Sequence, residues 1–488
     1  MSSFKNTYSK LPHSFYETSS PASFSKPELI IFNEDLACDL DFQEVLNIPN
    51  ERLAQIFSGQ EILPGSEPLA LAYAGYQFGH PVAVLGDGRA HYLGEIKQHD
   101  IQLKGSGQTP FSRRGDGRSA LGPVLREYLI SEAMHSLGVP TTRALAAVRT
   151  GEEVVRQFGA EPGGVFTRVA SSHIRVGTFQ YFAFKGDIES IKTLVDYTLE
   201  RHPPQIHKKL GANHYKEKSL ALLKSLVEVQ SQLVAHWQSI GFIHGVMNTD
   251  NFSLAGITID YGPCAFMDEF NFHQKFSSID HQGRYSFSNQ TQIAKWNILR
   301  LADCLIPLIS EGKYKEKEKG EEKERAINIV EHELMSLFPL FEAKRNERFA
   351  LKLGIQNYQA EDSELITTFL TYLETEKLDF TLSFRKLPEL LENSKHSFYP
   401  DTPLLKEFLE QWKKRNPNSS LMEQINPLYI PRNHLIQKAI DLSYQGDDSY
   451  FHKLHQIFKN PYQEGPYSEE FCSPPTEKER VEKTYCGT

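Results

Sequence analysis

No stretch of this 488-residue chain approaches the ~18 consecutive apolar residues of a membrane-crossing helix, so no membrane partner is expected. Cysteine is scarce: Cys38, Cys264, Cys304, Cys472 and Cys486 are scattered and form no C-x-x-C pair. That excludes a disulfide scaffold and fits a reducing compartment. The first residues, MSSFKNTYSKLPHSFYETSS, have neither the apolar core of a secretory signal nor the arginines of a transit peptide, and a cytoplasmic location is expected. Positive charge does not prevail either, with 53 Lys and Arg against 62 Asp and Glu and a net charge of -9. This counts against a nucleic-acid partner, whose backbone demands clustered positive charge. A G-x-x-x-x-G-K-[ST] phosphate loop is absent, and so is any internal repeat. A monomer is expected.

The composition, 40% hydrophobic and 24% charged, is that of an ordinary soluble protein long enough for two or more packed units. Chemistry concentrates in HGVMNTDNFSLAGITIDYG, from His244 to Gly262. Asn251 stands beside Asp250, and Asp260 follows a short apolar run, Ile257 and Ile259, that reads as a buried strand. An amide oxygen and a carboxylate brought together by strand and turn are hard ligands of the kind Mg²⁺ accepts when phosphates also hold it. In isolation an Asn-Asp pair is more often a turn or helix cap, but the His-Gly start, the apolar run and the Asp-Tyr-Gly end turn the balance toward a site. Protein kinases carry H-R-D-x-x-x-x-N followed by a strand and D-F-G, with Asn and the second Asp on the metals and the first Asp as base. Aligning Asn251 with the kinase Asn puts the base position on Val246, which cannot accept a proton. Either Asp250 has taken the role or the chain catalyses nothing.

Upstream, residues 1–70 read as an N-terminal extension with an apolar patch at Leu29 to Phe32 and a helix over Glu51 to Phe57. From Leu71 the chain is glycine-punctuated and β-like. Gly86-Asp87-Gly88, with Arg89 after it, signals a hairpin turn before the segment that starts at Ala90. Lys104 closes the strand Ile101-Gln102-Leu103, and a basic glycine turn follows from Arg113 to Arg118, including Asp116 and Gly117. Glycines let backbone N–H groups approach phosphate oxygens and arginines would clamp them, but a solvated basic loop has the same composition. A helix is expected from about Pro123 to Leu137, with Leu125, Leu129, Ala133 and Leu137 as its buried stripe. Glu127 lies off that stripe and is the natural partner for Lys104, as strand lysine and helix glutamate pair in kinases. Arg168 and Arg175 lie in an apolar run, FTRVASSHIRVGTFQ, and need a carboxylate or phosphate partner if buried.

A linker is expected around 186–216, then a long helix from about Lys218 to Ile240 with Leu223, Leu226, Leu233 and Trp237 inward and Gly241 at its end. His236 and His244 read as structural, since no second ligand stands at zinc spacing. Asn289 to about Leu308 forms an amphipathic helix. The run Glu311 to Arg325 is a solvated helix or flexible insertion. From about 330 the pattern is helical, and from Ser473 it is a polar tail.

The motifs QLKGSGQTPFSRRGDGR, REYLISEAMHSLGVPTTRAL, FTRVASSHIRVGTFQ, HGVMNTDN, IDYGP, DHQGRYSFSNQ, IAKWNILRLA and NPLYIPRNH, in that order across nearly the whole chain, resemble those of the selenoprotein O (SelO/YdiU) family. The resemblance implies an α+β, protein-kinase-like two-lobed fold. The β-rich N-lobe is placed at 71–185, the helical C-lobe with catalytic loop at 186–345, and an α-helical region with a Cys-containing tail at 346–488. It implies protein AMPylation, in which ATP is bound inverted relative to a kinase and AMP goes to Ser, Thr or Tyr hydroxyls of other proteins. Carried over by position, Asp250 is the base, and Asn251 and Asp260 hold Mg²⁺ or Mn²⁺. Gly86, Gly88, Arg89, Lys104, Asp116, Gly117, Arg168, Arg175 and Asp260 bind the nucleotide, with Glu127 pairing Lys104. Arg168 and Arg175 would supply cations where a kinase keeps an apolar adenine slot. The resemblance also implies a cysteine in the tail, which Cys486 fits, and in some members a cysteine before HQGRY, where this chain has Phe276. No disulfide to the neighbourhood of Phe276 is therefore expected, with Cys264 or Cys472 as candidate substitutes. An ordinary kinase and a nucleotide-binding scaffold without activity remain the alternatives.

Overall fold

Along Ile101-Gln102-Leu103-Lys104 apolar and polar side chains alternate, so a strand there sends its apolar half to one face and its polar half to the other. In the computed structural model, which describes residues 4–157, 159–202, 214–310, 319–392, 397–465 and 468–485, this strand lies in the middle of an antiparallel sheet. In chain order the strands are β1 (Tyr16–Thr18), β2 (Glu28–Phe32), β3 (Leu69–Leu71), β4 (Gly75–Gln77), β5 (His80–Val82), β6 (Ala90–Ile96), β7 (His99–Lys104), β8 (Ser119–Ala120), β9 (Arg143–Arg156), β10 (Gly159–Ala170), β11 (Phe242–Ile243) and β12 (Ala265–Phe266). The large sheet runs β1-β3-β6-β7-β10-β9-β2, with β8 also on β10. Helices α1 (Glu34–Asp39), α2 (Asn50–Ser58), α3 (Leu121–Ser136), α4 (Val176–Ala183), α5 (Ile188–Arg201), α6 (Tyr215–Ser239) and α7 (Gln290–Ile309) follow the same order, and the chain from Lys319 onward is helical. The class is α+β.

One face of the sheet packs Ile101, Leu103, Val165 and Val169 against Leu36 of α1 and Leu53 and Phe57 of α2. Residues before 70 thus supply β1 and β2 to the sheet and two helices to its core. The other face packs Ala144, Ala147 and Phe166 against Leu125 and Leu129 of α3. The expected stripe of α3 is buried, but so are its other sides, because the helices Asn433–Tyr444 and Ser449–Phe458 cover them. Glu127 is thereby drawn into the interior rather than left on a wet flank.

Three local expectations are corrected. The turn joining two sheet strands is not Gly86-Asp87-Gly88. The tight turns are Lys97-Gln98, between β6 and β7, and Phe78-Gly79, between β4 and β5, all four residues having positive φ. Asp87 instead folds inward, its carboxylate accepting from Leu71 N at 3.2 Å and Gln102 Nε2 at 2.9 Å. The expected linker contains α5, capped by the Asp187 side chain on Ser190 N, with Ile191, Leu194 and Val195 in the core; residues 203–213 lie outside the described set. The run Ile257 to Ile259 forms no strand. Thr258 makes a single bridge to Thr141, and Asp260 at φ 65° turns the chain out of extended geometry.

The long helix ends as expected, with Gly241 at φ 71°. Of the charged run Glu311 to Arg325, residues 319–325 begin a helix, Lys319–Leu337, and the rest falls outside the described residues. The polar tail is mostly exposed and is pinned at the buried Thr484. Thr484 N donates to Phe276 O at 2.8 Å, Ser278 N donates to Thr484 O at 3.0 Å, and the Thr484 hydroxyl donates to Pro263 O at 2.6 Å. Cys264 and Cys472 are free thiols, and Cys486 is outside the described residues. Among the described residues no helix is long and apolar enough to cross a membrane.

Arg432 of the NPLYIPRNH motif is fully buried and ties the segment after β12 to the C-terminal helices. Its guanidinium pairs with Asp268 and, at 2.8 and 3.1 Å, with both oxygens of Asp379. Arg432→Leu leaves the buried Asp379 and the half-buried Asp268 without their shared counter-charge and is expected to cost about 3–5 kcal/mol. Urea unfolding of the variant measures this; an unchanged midpoint would mean that the pair is bystander chemistry.

Candidate functional site

Antiparallel register brings the site together. Phe166 faces Lys104 and Arg168 faces Gln102 across β10 and β7, so Gln102, Lys104 and Arg168 share the polar face. Glu127 approaches from α3. Lys104 Nζ lies 2.6 Å from Glu127 Oε2 and 2.7 Å from Asp260 Oδ1. Arg168 donates to the same Asp260 oxygen at 2.7 Å, to Glu127 at 3.3 Å and to Gln102 Oε1 at 2.6 Å. Arg175 stands 3.7 Å from Asp260 Oδ2, stacks at 4.4 Å on the Tyr73 ring and donates to the Asp250 carbonyl at 3.0 Å. The partner that Arg168 and Arg175 were expected to need is therefore the carboxylate of Asp260.

Three cations converge on two carboxylates. Burial alone would raise the Asp260 carboxyl, but Arg168, Lys104 and Arg175 together hold it well below the usual carboxylate range. Asp250 is different. Burial pushes its carboxyl up to about 6, with the neighbouring Asp260 adding to the rise and Arg175 and a hydrogen bond from Gln77 opposing it. Asp250 Oδ1 is buried with no hydrogen-bond partner. A buried acceptor without a donor is costly unless something occupies it in the working state.

The loop carrying Asp250 is fixed from outside. Asn248 Oδ1 accepts from Phe78 N at 3.0 Å and from the Tyr285 hydroxyl. Thr249 Oγ1 accepts from Tyr76 N at 2.6 Å and donates to Gln180 Oε1 at 2.7 Å. Asn251 donates its Nδ2 to Val246 O at 3.1 Å, which leaves its amide oxygen for another partner. Val246 is buried and offers no proton acceptor on its side chain. His244 is structural as expected, its ring at 2.9 Å from Ile259 O.

Asp250, Asn251 and Asp260 border one cleft of about 890 Å³, the size of a nucleotide-scale ligand site. Among the described residues no three His, Cys, Asp or Glu side chains gather as a cation cage. A cation at this corner thus needs oxygens from a ligand as well. The Asp260 carboxylate and the Asn251 amide suit Mg²⁺, which keeps water or phosphate in its remaining positions.

The glycine turns form the outer wall. A Cβ on Gly86, at φ 63°, would sit 2.2 Å from the Phe111 ring, and one on Gly117, at φ 69°, 2.2 Å from the Gly107 backbone. These glycines let the first turn pack on Phe111 and the second on the Gly107 backbone, a reason for them that needs no ligand. Gly88 and Arg89 also line the cleft, and Asp116 pairs with Arg156 at 2.8 Å at its rim. Charge is graded: Lys104, Arg168 and Arg175 sit at the closed end, while Arg113 and Arg114 are exposed at the mouth. Gln77, Asp87, Gln102 and Arg156 also belong to the cleft or its supports and escaped the sequence reading. The glycine-bounded GYQFG was a signal for Gln77. The others depend on pairing across distant strands.

A family model described as protein adenylyltransferase SelO matches residues 1–459. A protein of Agrobacterium fabrum, "Protein nucleotidyltransferase YdiU", is 45% identical over the full length of both chains. Proteins of the same description from Maridesulfovibrio salexigens and Rhizobium meliloti are 45% and 44% identical, each alignment covering 99% of this chain and 98% and 99% of the relative.

Proposed function

Given that this chain belongs to the SelO family and is a protein nucleotidyltransferase taking ATP, we propose that the Asp250, Asn251 and Asp260 corner transfers AMP to Ser, Thr or Tyr hydroxyls. The observation that carries the site assignment is Asp250: a buried carboxylate with a raised pKa and an unpartnered oxygen, next to Asn251 in the cleft. The sheet with α3 and the helices from α6 onward correspond in this reading to the two lobes of a kinase-like fold. Lys104 and Glu127 are then its strand–helix pair.

The charge gradient supports an inverted nucleotide. The closed end holds Lys104, Arg168 and Arg175, a poor seat for adenine and a good one for the β- and γ-phosphates. Adenosine then lies outward between the glycine turns, where Leu85 and Phe111 line the cleft. The α-phosphate comes to Asp250. There the acceptor hydroxyl gives its proton to Asp250 Oδ1, its oxygen bonds the α-phosphorus, and the bond from that phosphorus to the bridging oxygen breaks. The products are a phosphodiester on the protein and pyrophosphate, and the proton on Asp250 passes to solvent. Asn251 and Asp260 would hold Mg²⁺, or Mn²⁺, whose charge offsets that of the phosphates. Lys104 and the two arginines neutralise the leaving group without moving.

Incubation with ATP labelled on the α- or the γ-phosphate, in separate experiments with Mg²⁺, tests this. Protein-bound label from the α-phosphate alone, lost in Asp260→Ala, is the expected result. Label from γ alone would make the site a kinase with a displaced base, and label from neither would leave a nucleotide-binding scaffold.

A further inference from the structure

On the surface next to the catalytic loop, Trp296 of α7 carries two guanidinium groups, Arg284 at 4.7 Å and Arg300 at 5.2 Å from its ring. Tyr76 meets the same indole edge-on at 5.6 Å and Phe184 at 5.9 Å. We propose that this aromatic face with its two stacked arginines is where the acceptor protein docks, and that it selects hydroxyls flanked by acidic side chains. The inference rests on the AMP-transfer reading of the cleft.

Both ends of the face are wired to the base. The backbone N–H of Tyr76 holds Thr249, and the next residue, Gln77, lines the cleft together with Asp250. Arg284 precedes Tyr285, whose hydroxyl holds Asn248 and whose ring packs on Phe78 at 5.2 Å. A polypeptide lying on this face therefore rests on residues whose chain neighbours hold Asn248 and Thr249, the two residues that precede Asp250.

The chemistry of the face asks for carboxylates. Arg284 has no carboxylate within ion-pair distance among the described residues, and Arg300 has Asp303 at 3.2 Å through Nη2 only. In both side chains Nε is buried and makes no hydrogen bond. With Nε turned inward, the two Nη atoms are the fork that a docking carboxylate can reach, and stacking on Trp296 already holds each guanidinium plane in position. Phe184, 42% exposed, supplies apolar area beside the fork, which is the mix of aromatic and arginine that dominates binding hot spots. On a chain with a net charge of -9 such a cationic aromatic face gives an acidic partner a specific place to land.

The test uses the full-length protein and three synthetic peptides alike except that a single Tyr is flanked by Glu, Gln or Lys. AMP incorporation from α-labelled ATP is measured as kcat and KM. The wild type is expected to favour the Glu peptide over the Gln peptide about tenfold, through KM, the scale of one charge-assisted contact. Arg300→Glu, and more fully the pair Arg284→Glu with Arg300→Glu, should erase that preference and turn it toward the Lys peptide. The KM for ATP should stay unchanged, which also reports that the variants fold. If the wild type labels all three peptides equally, or the charge-reversed variants keep the wild-type ranking, the docking face is refuted while AMP transfer stands. If the wild type labels none of the three from α-labelled ATP, the transfer reading fails and takes this inference with it.

Discussion

Asp260→Ala is expected to lose AMP transfer by about 10³-fold or more while still binding ATP. The transfer loss follows from removing the carboxylate that both aligns the cations and would face the metal, the kind of pre-set charge whose deletion costs factors of about 10² to 10³ by itself. The binding result follows from charge counting. In the ligand-free protein Asp260 Oδ1 takes Lys104 and Arg168 at 2.7 Å each, and Oδ2 has Arg175 at 3.7 Å. A triphosphate entering the closed end competes with that carboxylate for the same three donors. Deleting it leaves the donors to the phosphates, so metal-free ATP affinity should be unchanged or higher, and affinity should cease to depend on Mg²⁺. Calorimetry with and without Mg²⁺, alongside incorporation of α-label, checks both halves. Transfer within tenfold of wild type would remove Asp260 from the machinery, and a loss of metal-free ATP binding would show that the cations need Asp260 to hold their places.

Much of this site is legible in the sequence. Lys104 at a strand end, Glu127 on the next helix, and the Asp250-Asn251 and Asp260 spacing are local patterns, and the structure brings all of them to one cleft. What is not local was not readable. That Arg168 and Arg175 share Asp260 depends on contacts 92 and 85 residues apart in the chain. The Lys97-Gln98 turn carries none of the Asn or Gly signal such turns usually show, and Gly86-Asp87-Gly88 carries it for another purpose, the packing of Gly86 on Phe111. Helix α5 was hidden by the polar stretch after it, although Asp187 and Ser190 spell its cap. In each case tertiary pairing overrode a local preference.

Asp250→Asn should separate catalysis from stability in opposite directions. As the proton acceptor, Asp250 is worth about 10² to 10⁴ in kcat, and the amide keeps its shape without its basicity. ATP affinity should change little, because the phosphate-facing cations are untouched. The pH profile gives the sharper test. A base works only when deprotonated, so wild-type kcat/KM should fall tenfold per pH unit below about pH 6, and bound Mg²⁺ would move that limb lower. The variant should show a flat residual rate across the same range. Stability carries the reverse sign. A carboxyl whose pKa is raised by folding binds its proton more tightly in the folded protein, so its contribution falls as pH rises from the unfolded value of 3.8 to about 6. Above that window the buried charge costs up to about 3 kcal/mol, because each pH unit between the unfolded and folded pKa is worth about 1.4 kcal/mol. Asp250→Asn should recover part of that cost, and the metal-free, ATP-free variant should melt above the wild type at pH 7.5 and level with it at pH 4. A variant that is inactive and also less stable at pH 7.5 would mean that Asp250 holds the loop together and is not held in the fold at the expense of stability.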